Sequence, residues 1–307
     1  MTDLSEPWYS LRCLCGSFIV ARRCSVAKSK AEQVAEKSAR LYNQTSEITL
    51  GDDMDDTVNY IPLPSWWQEA TGVPGVPFRK LIQIAGDSDS GKTSFSIAAI
   101  KAAQDQGVTV LYIETEGKTT KQDFINWQVD PKKIYILKEA VAEEIYDKVY
   151  KWLVKRYADN PAEKVLVVID SVGNVLSKSD LDRELTKTDA RPGGKGKSNR
   201  EGLKRLIAKA MKHDIALVVI NYTYDNIGSP GKTNAGGKAL NFFSSLTYQT
   251  SRKAWIEATV KGVKVRKGAK VVWKLFKNHL SRQSPGPKVV EFDITAEGIK
   301  LAGTADE

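Results

Sequence analysis

A chain of 307 residues with 41% hydrophobic content can bury one large α/β core of about 230 residues with an N-terminal attachment, rather than two equal domains. Its formal net charge is +9, and from Arg252 to Lys288 eleven Lys/Arg stand against the single acid Glu257, a concentration expected of a surface that meets a polyanion. No stretch approaches ~18 consecutive apolar residues, which excludes a membrane-spanning helix; Cys13, Cys15 and Cys24 are the only cysteines, so the core has no disulfide framework and fits a reducing, cytoplasmic compartment.

Residues 1–25 read as a leader, disordered or outside the folded protein, with the true start downstream of Met1. Leu11 to Val20 has the length of a signal-peptide apolar region, but Arg22 and Arg23 follow it where small cleavage-site residues would stand. Cys13, Cys15 and Cys24 have poor zinc spacing and no nearby His. Residues 26–64 form a separate small element. Ala27 to Tyr42 is a helix pattern whose narrow apolar stripe, Val26, Val34 and Leu41, suits docking on another body; Ser46 to Leu50 is a short strand closed by Gly51.

Residues 65–302 carry the core and 303–307 a short tail. Pro62, Pro64, Trp66 and Trp67 make a stiff entry, and Thr71 to Pro77 reads as a loop. Strands are expected at Lys80–Ala85, Val108–Ile113, Val165–Ile169 and Ile215–Ile220, alternating with helices at Ser94–Ala103, Ala142–Tyr157 and Gly202–Lys212. Strands apolar on both faces and separated by helices indicate a mostly parallel sheet with helices on both sides. After Lys238 the pattern turns to strands at Leu246–Ser251, Ala254–Val260, Val271–Phe276 and Val289–Phe292. Ser177–Arg200 and Tyr222–Gly237 are long, polar segments rich in Gly, Lys, Ser and Asn, read as functional or disordered loops.

Gly86-Asp87-Ser88-Asp89-Ser90-Gly91-Lys92-Thr93 matches G-x-x-x-x-G-K-[ST] between a strand and a helix pattern. This is a phosphate-binding loop: the glycines permit a tight turn of converging N–H groups, Lys92 supplies charge for the outer phosphates, and Thr93 a hydroxyl for Mg²⁺. ATP and Mg²⁺ are the expected cofactors. Asp170, closing the run Val165-Leu-Val-Val-Ile-Asp, stands where a second Mg²⁺ contact belongs in such ATPases. Glu114 and Glu116 end the strand after the phosphate-loop helix; either could orient the attacking water, and strand alternation puts both on one side.

In order and spacing these motifs resemble the RecA recombinases. The resemblance runs through Val-Val-Ile-Asp-Ser at 167–171, Val-Ile-Asn at 219–221, Gly236-Gly-Lys-Ala-Leu-Asn-Phe-Phe243 and Leu275-Phe-Lys-Asn-His279. It implies a RecA-like phosphate-loop ATPase core, with the helix and strand of residues 26–64 serving subunit polymerisation. It makes Glu116 the residue that activates water, with Glu114 in support. It assigns Ser177 to about Arg200 and Tyr222 to Lys238 to DNA binding. Lys195, Lys197 and Arg200 supply cations there, and Gly236, Gly237 and Lys238 lie in the second segment, with contacts mainly to the DNA backbone. Lys277 and His279 correspond to two family lysines that reach the γ-phosphate of a neighbouring subunit; His279 departs from that pattern.

Tyr222 is a second departure, because the family places a Gln there as a γ-phosphate sensor. The run Asn221-Tyr-Thr-Tyr-Asp225 resembles phage UvsX recombinases and suggests a phage-encoded protein in a bacterial host cytoplasm. The implied activity is ATP-dependent strand exchange: a homo-oligomeric helical filament on single-stranded DNA pairs with homologous double-stranded DNA, assisted by mediator and single-strand binding proteins. A RecA-fold ring helicase or DNA-dependent motor is the alternative, and a non-catalytic filament accessory the third.

Overall fold

The computed structural model describes residues 30, 57–182, 194–225, 232–235, 238–280 and 289–302. The chain divides between Asp56 and Thr57 into two units, and the architecture that follows is that of the second. Lys30 is helical and exposed; the leader, the rest of the helix at 27–42 and the strand at 46–50 lie outside the described residues.

Entry to the core is more ordered than its prolines suggest. β1 (Tyr60–Pro62) pairs antiparallel with β2 (Gly75–Pro77), and α1 (Ser65–Thr71) sits between them, starting after Pro64 and ending at Gly72 with φ 74°. Proline is tolerated because these are short edge pairings. The central sheet takes β3 (Leu81–Gly86), β4 (Thr109–Glu114), β5 (Ile134–Lys138), β6 (Val165–Asp170), β7 (Ile215–Asp225), β8 (Lys232–Asn234), β9 (Leu246–Val260), β10 (Val263–Asn278), β11 (Val289–Thr295) and β12 (Gly298–Leu301). Its order is β12-β11-β10-β9-β3-β7-β6-β4-β5, with β8 on β7. The six strands from β9 to β5 are mutually parallel, and the rest add antiparallel. This is the mostly parallel α/β sheet that the apolar runs require.

Both faces are covered. α2 (Lys92–Asp105) packs on one face, where Trp67, Phe95, Tyr248, Trp273 and Phe292 join one aromatic cluster; Trp67 stacks on Phe292 at 5.6 Å between centroids. On the other face lie α4 (Ala142–Asp159) and α6 (Gly194–Ala210), burying Tyr146, Val149, Leu153, Leu203 and Leu206. Short elements complete the fold: α3 (Lys121–Asn126), with a Thr120/Asp123 capping box, α5 (Lys178–Leu181) and α7 (Lys238–Phe243).

Two expected loops are partly regular. The helix expected at Gly202 begins at Gly194, so Lys195, Lys197 and Arg200 lie on α6. The segment from Tyr222 continues β7 to Asp225 and turns back through β8; residues 226–231, 236 and 237 lie outside the described residues, as do 183–193. The strands expected at Leu246–Ser251 and Ala254–Val260 are one strand, β9. With β10 it forms a ribbon turned by Lys261 and Gly262, φ 49° and 78°, the positive-φ pair that suits a tight hairpin.

Helix α6 approaches α4 through Gly202, where a Cβ would lie 2.0 Å from Cγ of the buried Tyr146. Tyr146 cannot easily yield, because its hydroxyl donates to Asn199 Oδ1 at 3.0 Å. Gly202→Ala gains about 1 kcal/mol of helix propensity but overpacks this contact by about 1–3 kcal/mol. We expect a net loss of stability, read as a lower denaturant midpoint with an unchanged slope.

Candidate nucleotide site

Three parallel strands, β3, β4 and β6, end together beside β7, which runs on past them. In register Gly86 stands opposite Tyr222 and Glu114 opposite Asp170. Around these ends is a cleft of about 240 Å³ lined by residues 88–94, Glu114, Glu116, Lys118, Thr119, Asp170 and Tyr222. Strand ends in a parallel sheet are where the backbone opens and a ligand can enter.

The phosphate loop is built by close approach and internal bonding. At Gly86 a Cβ would meet the Thr250 carbonyl oxygen at 2.1 Å, so only glycine lets β9 run beside it. Gly91 has φ +83°, and a Cβ there would meet Ile294 Cδ1 at 2.1 Å. Ser90 is fully buried; its hydroxyl donates to Asp87 O at 2.7 Å and lies 2.6 Å from Thr250 Oγ1, tying the loop to β9. Gly86 and Asp87 do not line the cleft. Asp87 Oδ1 instead accepts from Thr223 Oγ1 at 3.1 Å, and Asp89 pairs with Arg252 at 3.0 Å. Lys92 opens α2 and is 6% exposed; its ammonium donates to the Asp87 carbonyl. Burial lowers its pKa to about 8 against the opposing pull of Asp170, Asp87, Glu116 and Asp89.

The acids occupy distinct positions. Asp170 is buried, which pushes its carboxyl up to about 6, while bonds from Thr93 and Tyr112 favour its charged form; the Tyr112 hydroxyl donates at 3.2 Å. Glu114 is also buried. It accepts the Glu116 backbone N–H at 3.0 Å, and its other carboxylate oxygen has no partner among the described residues. Glu116 lies just past β4 and accepts from the Ser171 hydroxyl at 2.9 Å and from the Tyr222 hydroxyl, while Lys118 pairs with it at 2.6 Å. Burial opposes its ionisation, but the bonds from Lys118, Tyr222 and Ser171 prevail and hold its pKa below the usual range. The spacing that left the two glutamates equivalent is resolved by the chain turning after Glu114: one carboxylate braces the backbone, the other meets three polar partners. Ser171, Lys118 and Tyr112 are site residues that sequence reasoning missed; Ser171 alone had a signal, being next to Asp170.

Other expected residues lie apart from the cleft. The Lys195 ammonium donates to Gly173 O at 2.7 Å, whereas Lys197 and Arg200 are exposed on α6. Lys238 opens α7, and Gly236 and Gly237 are outside the described residues. Lys277 donates to the carbonyls of Asn241 and Phe242 at 2.8 and 3.3 Å, and His279 is exposed at the end of the ribbon strand; neither lines this chain's own cleft.

The raised Asp170 value has a defined consequence. A folded pKa above the ordinary one, about 3.9, means that the contribution to stability is present below about pH 4 and lost as pH rises through 6. Asp170→Asn removes that loss. Without nucleotide or metal, the variant should gain on the unmodified protein as pH rises from about 4 to about 7, by up to about 3 kcal/mol in all, in pH-resolved denaturant melts; a difference flat with pH contradicts this.

Residues 29–300 match the family profile described as the RecA N-terminal domain. The chain is 30% identical over 261 residues to Protein RecA of Fusobacterium nucleatum subsp. nucleatum, covering 83% of this chain and 65% of that one. Against Protein RecA of Campylobacter hominis it is 27% identical over 282 residues, 90% of this chain and 77% of the other. Against that of Nitratiruptor sp. it is 28% identical over 283 residues, 90% and 78%. The chain thus spans just under two thirds of the Fusobacterium protein's length. With a profile match that runs from before β1 into β12, the chain belongs to the RecA family.

Proposed function

We propose that this chain is an ATP-dependent DNA recombinase that forms a helical filament on single-stranded DNA and exchanges that strand with a homologous duplex. The observation that carries the reading is one cleft lined by most of the phosphate loop, three further acids at or just past strand ends and Tyr222, whose strand continues into one of the two segments assigned to DNA. Lys92 would neutralise the outer phosphates, and Glu116 would orient and polarise the attacking water, with Glu114 fixing the backbone that presents it.

Thr93 and Asp170 suit Mg²⁺. Both are oxygen ligands lining the same cleft, and Mg²⁺ in such sites takes one or two carboxylates with substrate phosphates and water. When bound, it would neutralise charge on the phosphates. Lys277 and His279, remote from their own cleft, would act on the neighbouring subunit's nucleotide and make hydrolysis depend on assembly. Lys197 and Arg200, with the segment around Gly236, Gly237 and Lys238, would grip the DNA backbone. Mediator and single-strand binding proteins are the partners this activity implies. The Asn221-Tyr-Thr-Tyr run favours a UvsX-like phage protein acting in host cytoplasm.

Strand exchange between circular single strands and linear duplex is the direct test. Joint molecules should form with ATP and Mg²⁺, and Lys92→Ala should abolish them. The reading fails if the unmodified protein forms none. Replacing Lys197 and Arg200 by Ala should flatten the salt dependence of single-strand binding by about 1.4 in the log–log slope, about 0.7 for each phosphate contact; an unchanged slope would place the DNA elsewhere.

A further inference from the structure

The chain leaving β4 is a fixed support for one movable charge. Thr115 donates its N–H to the Asp170 carbonyl at 3.0 Å. Its hydroxyl donates to the Ser171 carbonyl at 2.9 Å and accepts the Ser171 N–H at 2.8 Å, so the segment just after β4 is tied to the end of β6. Gly117 then takes φ +70°, and a Cβ there would meet nothing within 4 Å; the glycine serves the turn and not packing. On the far side the Thr119 hydroxyl lies 3.0 Å from that of Tyr112, and Thr120 caps α3. Lys118 stands between these anchors. Its backbone is held on both sides, whereas its side chain is 76% exposed.

Lys92 and Lys118 are the two lysines that line the cleft among the described residues, and they differ in what they can do. Lys92 is buried and donates to the Asp87 carbonyl, within the phosphate loop itself. The Lys118 ammonium instead lies 2.6 Å from Glu116 Oε2; that bond comes first in holding it charged, and Asp170 and Asp89 add to the attraction. An ion pair with one partner this exposed is weak and readily exchanged. Glu116 does not lose its orientation when the lysine leaves, because its other oxygen, Oε1, accepts from the Ser171 and Tyr222 hydroxyls. Departure of Lys118 therefore uncovers one carboxylate oxygen of an acid that stays in place.

We propose that Lys118 is a catalytic cation supplied within the subunit: it leaves Glu116 for the γ-phosphate oxygens of bound ATP, offsetting charge there and freeing Glu116 Oε2 for the attacking water. The proposal rests on the ATPase reading above and deepens it. In the hydrolytic step the water oxygen bonds to the γ-phosphorus and gives a proton to Glu116. The bond from that phosphorus to the β–γ bridging oxygen breaks, ADP leaves with the electron pair, and Glu116 returns the proton to solvent. Lys118 keeps its protons throughout and acts by charge alone. Lys277 and His279 do not line this cleft, so Lys118 is a cation that the subunit does not borrow. ADP has no γ-phosphate, so the contact also separates the two nucleotides.

The test compares the full chain with Lys118→Ala and Lys118→Arg in three measurements: affinity for ADP, affinity for a non-hydrolysable ATP analogue, and ATP hydrolysis with saturating single-stranded DNA, all with Mg²⁺. Lys118→Ala should weaken the analogue by about ten-fold or more, the size expected when a hydrogen bond to a charged group is lost, and kcat should fall at least as far. Its ADP affinity should stay within about two-fold, which also verifies that the site is folded. Lys118→Arg keeps the charge and should recover most of both losses. A merely structural ion pair would shift the two nucleotides alike or neither, and a lysine that only restrained Glu116 would make Lys118→Ala the faster enzyme. Either result, in a chain that hydrolyses ATP when unmodified, overturns the role of Lys118 while the ATPase reading stands. If the unmodified protein hydrolyses no ATP even with DNA, both fall.

Discussion

Burial of one ammonium group organises the site. Lys92 is 6% exposed, and taking an isolated ammonium out of water costs several kcal/mol unless opposite charge comes close. Here the compensation is Asp170, Asp87, Glu116 and Asp89, residues from three separate segments of sequence. They can surround the lysine only if β3, β4 and β6 end at one level, which the parallel registers secure. The arrangement then overshoots. Five acids, Asp87, Asp89, Glu114, Glu116 and Asp170, stand around two lysines, Lys92 and Lys118, with Arg252 answering Asp89 from outside. A triphosphate brought into such a set would meet net repulsion unless positive charge accompanied it.

Strand β3 transmits this local demand to the rest of the fold. It is paired in parallel on both sides, to β7 and β9, and both neighbours outrun it. β7 continues past Gly86 into the hairpin with β8, and β9 continues past Thr250 into the ribbon with β10. Each is fastened to the phosphate loop by a side chain at its point of departure, Thr223 to Asp87 and Thr250 to Ser90. The rigid, doubly covered sheet therefore carries two cantilevered hairpins, and a load on either reaches the nucleotide loop through one or two hydrogen bonds. Such hydrogen-bonded links between packed elements are the kind of contact through which energetic coupling is carried.

What could be read from the sequence follows from how local the determining physics is. The phosphate loop was legible because its demands fall on the backbone and on adjacent residues, and the buried parallel strands because they are apolar on both faces. The start of α6 was not. Gly194-Lys-Gly-Lys-Ser is a poor helix sequence, yet Ser198 bonds Glu143 at 2.7 Å, Asn199 bonds Tyr146 and Lys195 bonds Gly173. Those partners lie 22 to 55 residues away, beyond any local signal. The same holds for Glu114 and Glu116, which alternation leaves equivalent and only the turn after β4 separates. β1 and β2 were obscured by prolines that an interior strand would not tolerate but a two-stranded edge pairing does.

The basic surplus takes a specific form. Between Arg252 and Arg266 the β9–β10 ribbon pairs, among the described residues, only with itself, β11 joining β10 from Gly268 onward, and Val260, Val263 and Val265 remain 43%, 63% and 38% exposed. Little apolar burial holds it, so its order comes from the turn and from cross-strand pairs such as Glu257 opposite Arg266. Trp255 is flanked by two guanidinium groups, Arg252 at 4.1 Å and Arg266 at 4.4 Å from its ring centroid. Stacking of this kind fixes the planes of the guanidinium groups while leaving their charge undiminished. A ribbon that needed only to fold would gain more from apolar pairs along its length than from this accumulation of like charge, which raises its own electrostatic energy. The sequence therefore sustains the charge at a cost to stability, and that cost is intelligible if the ribbon presents its cations to a polyanion beside the phosphate loop.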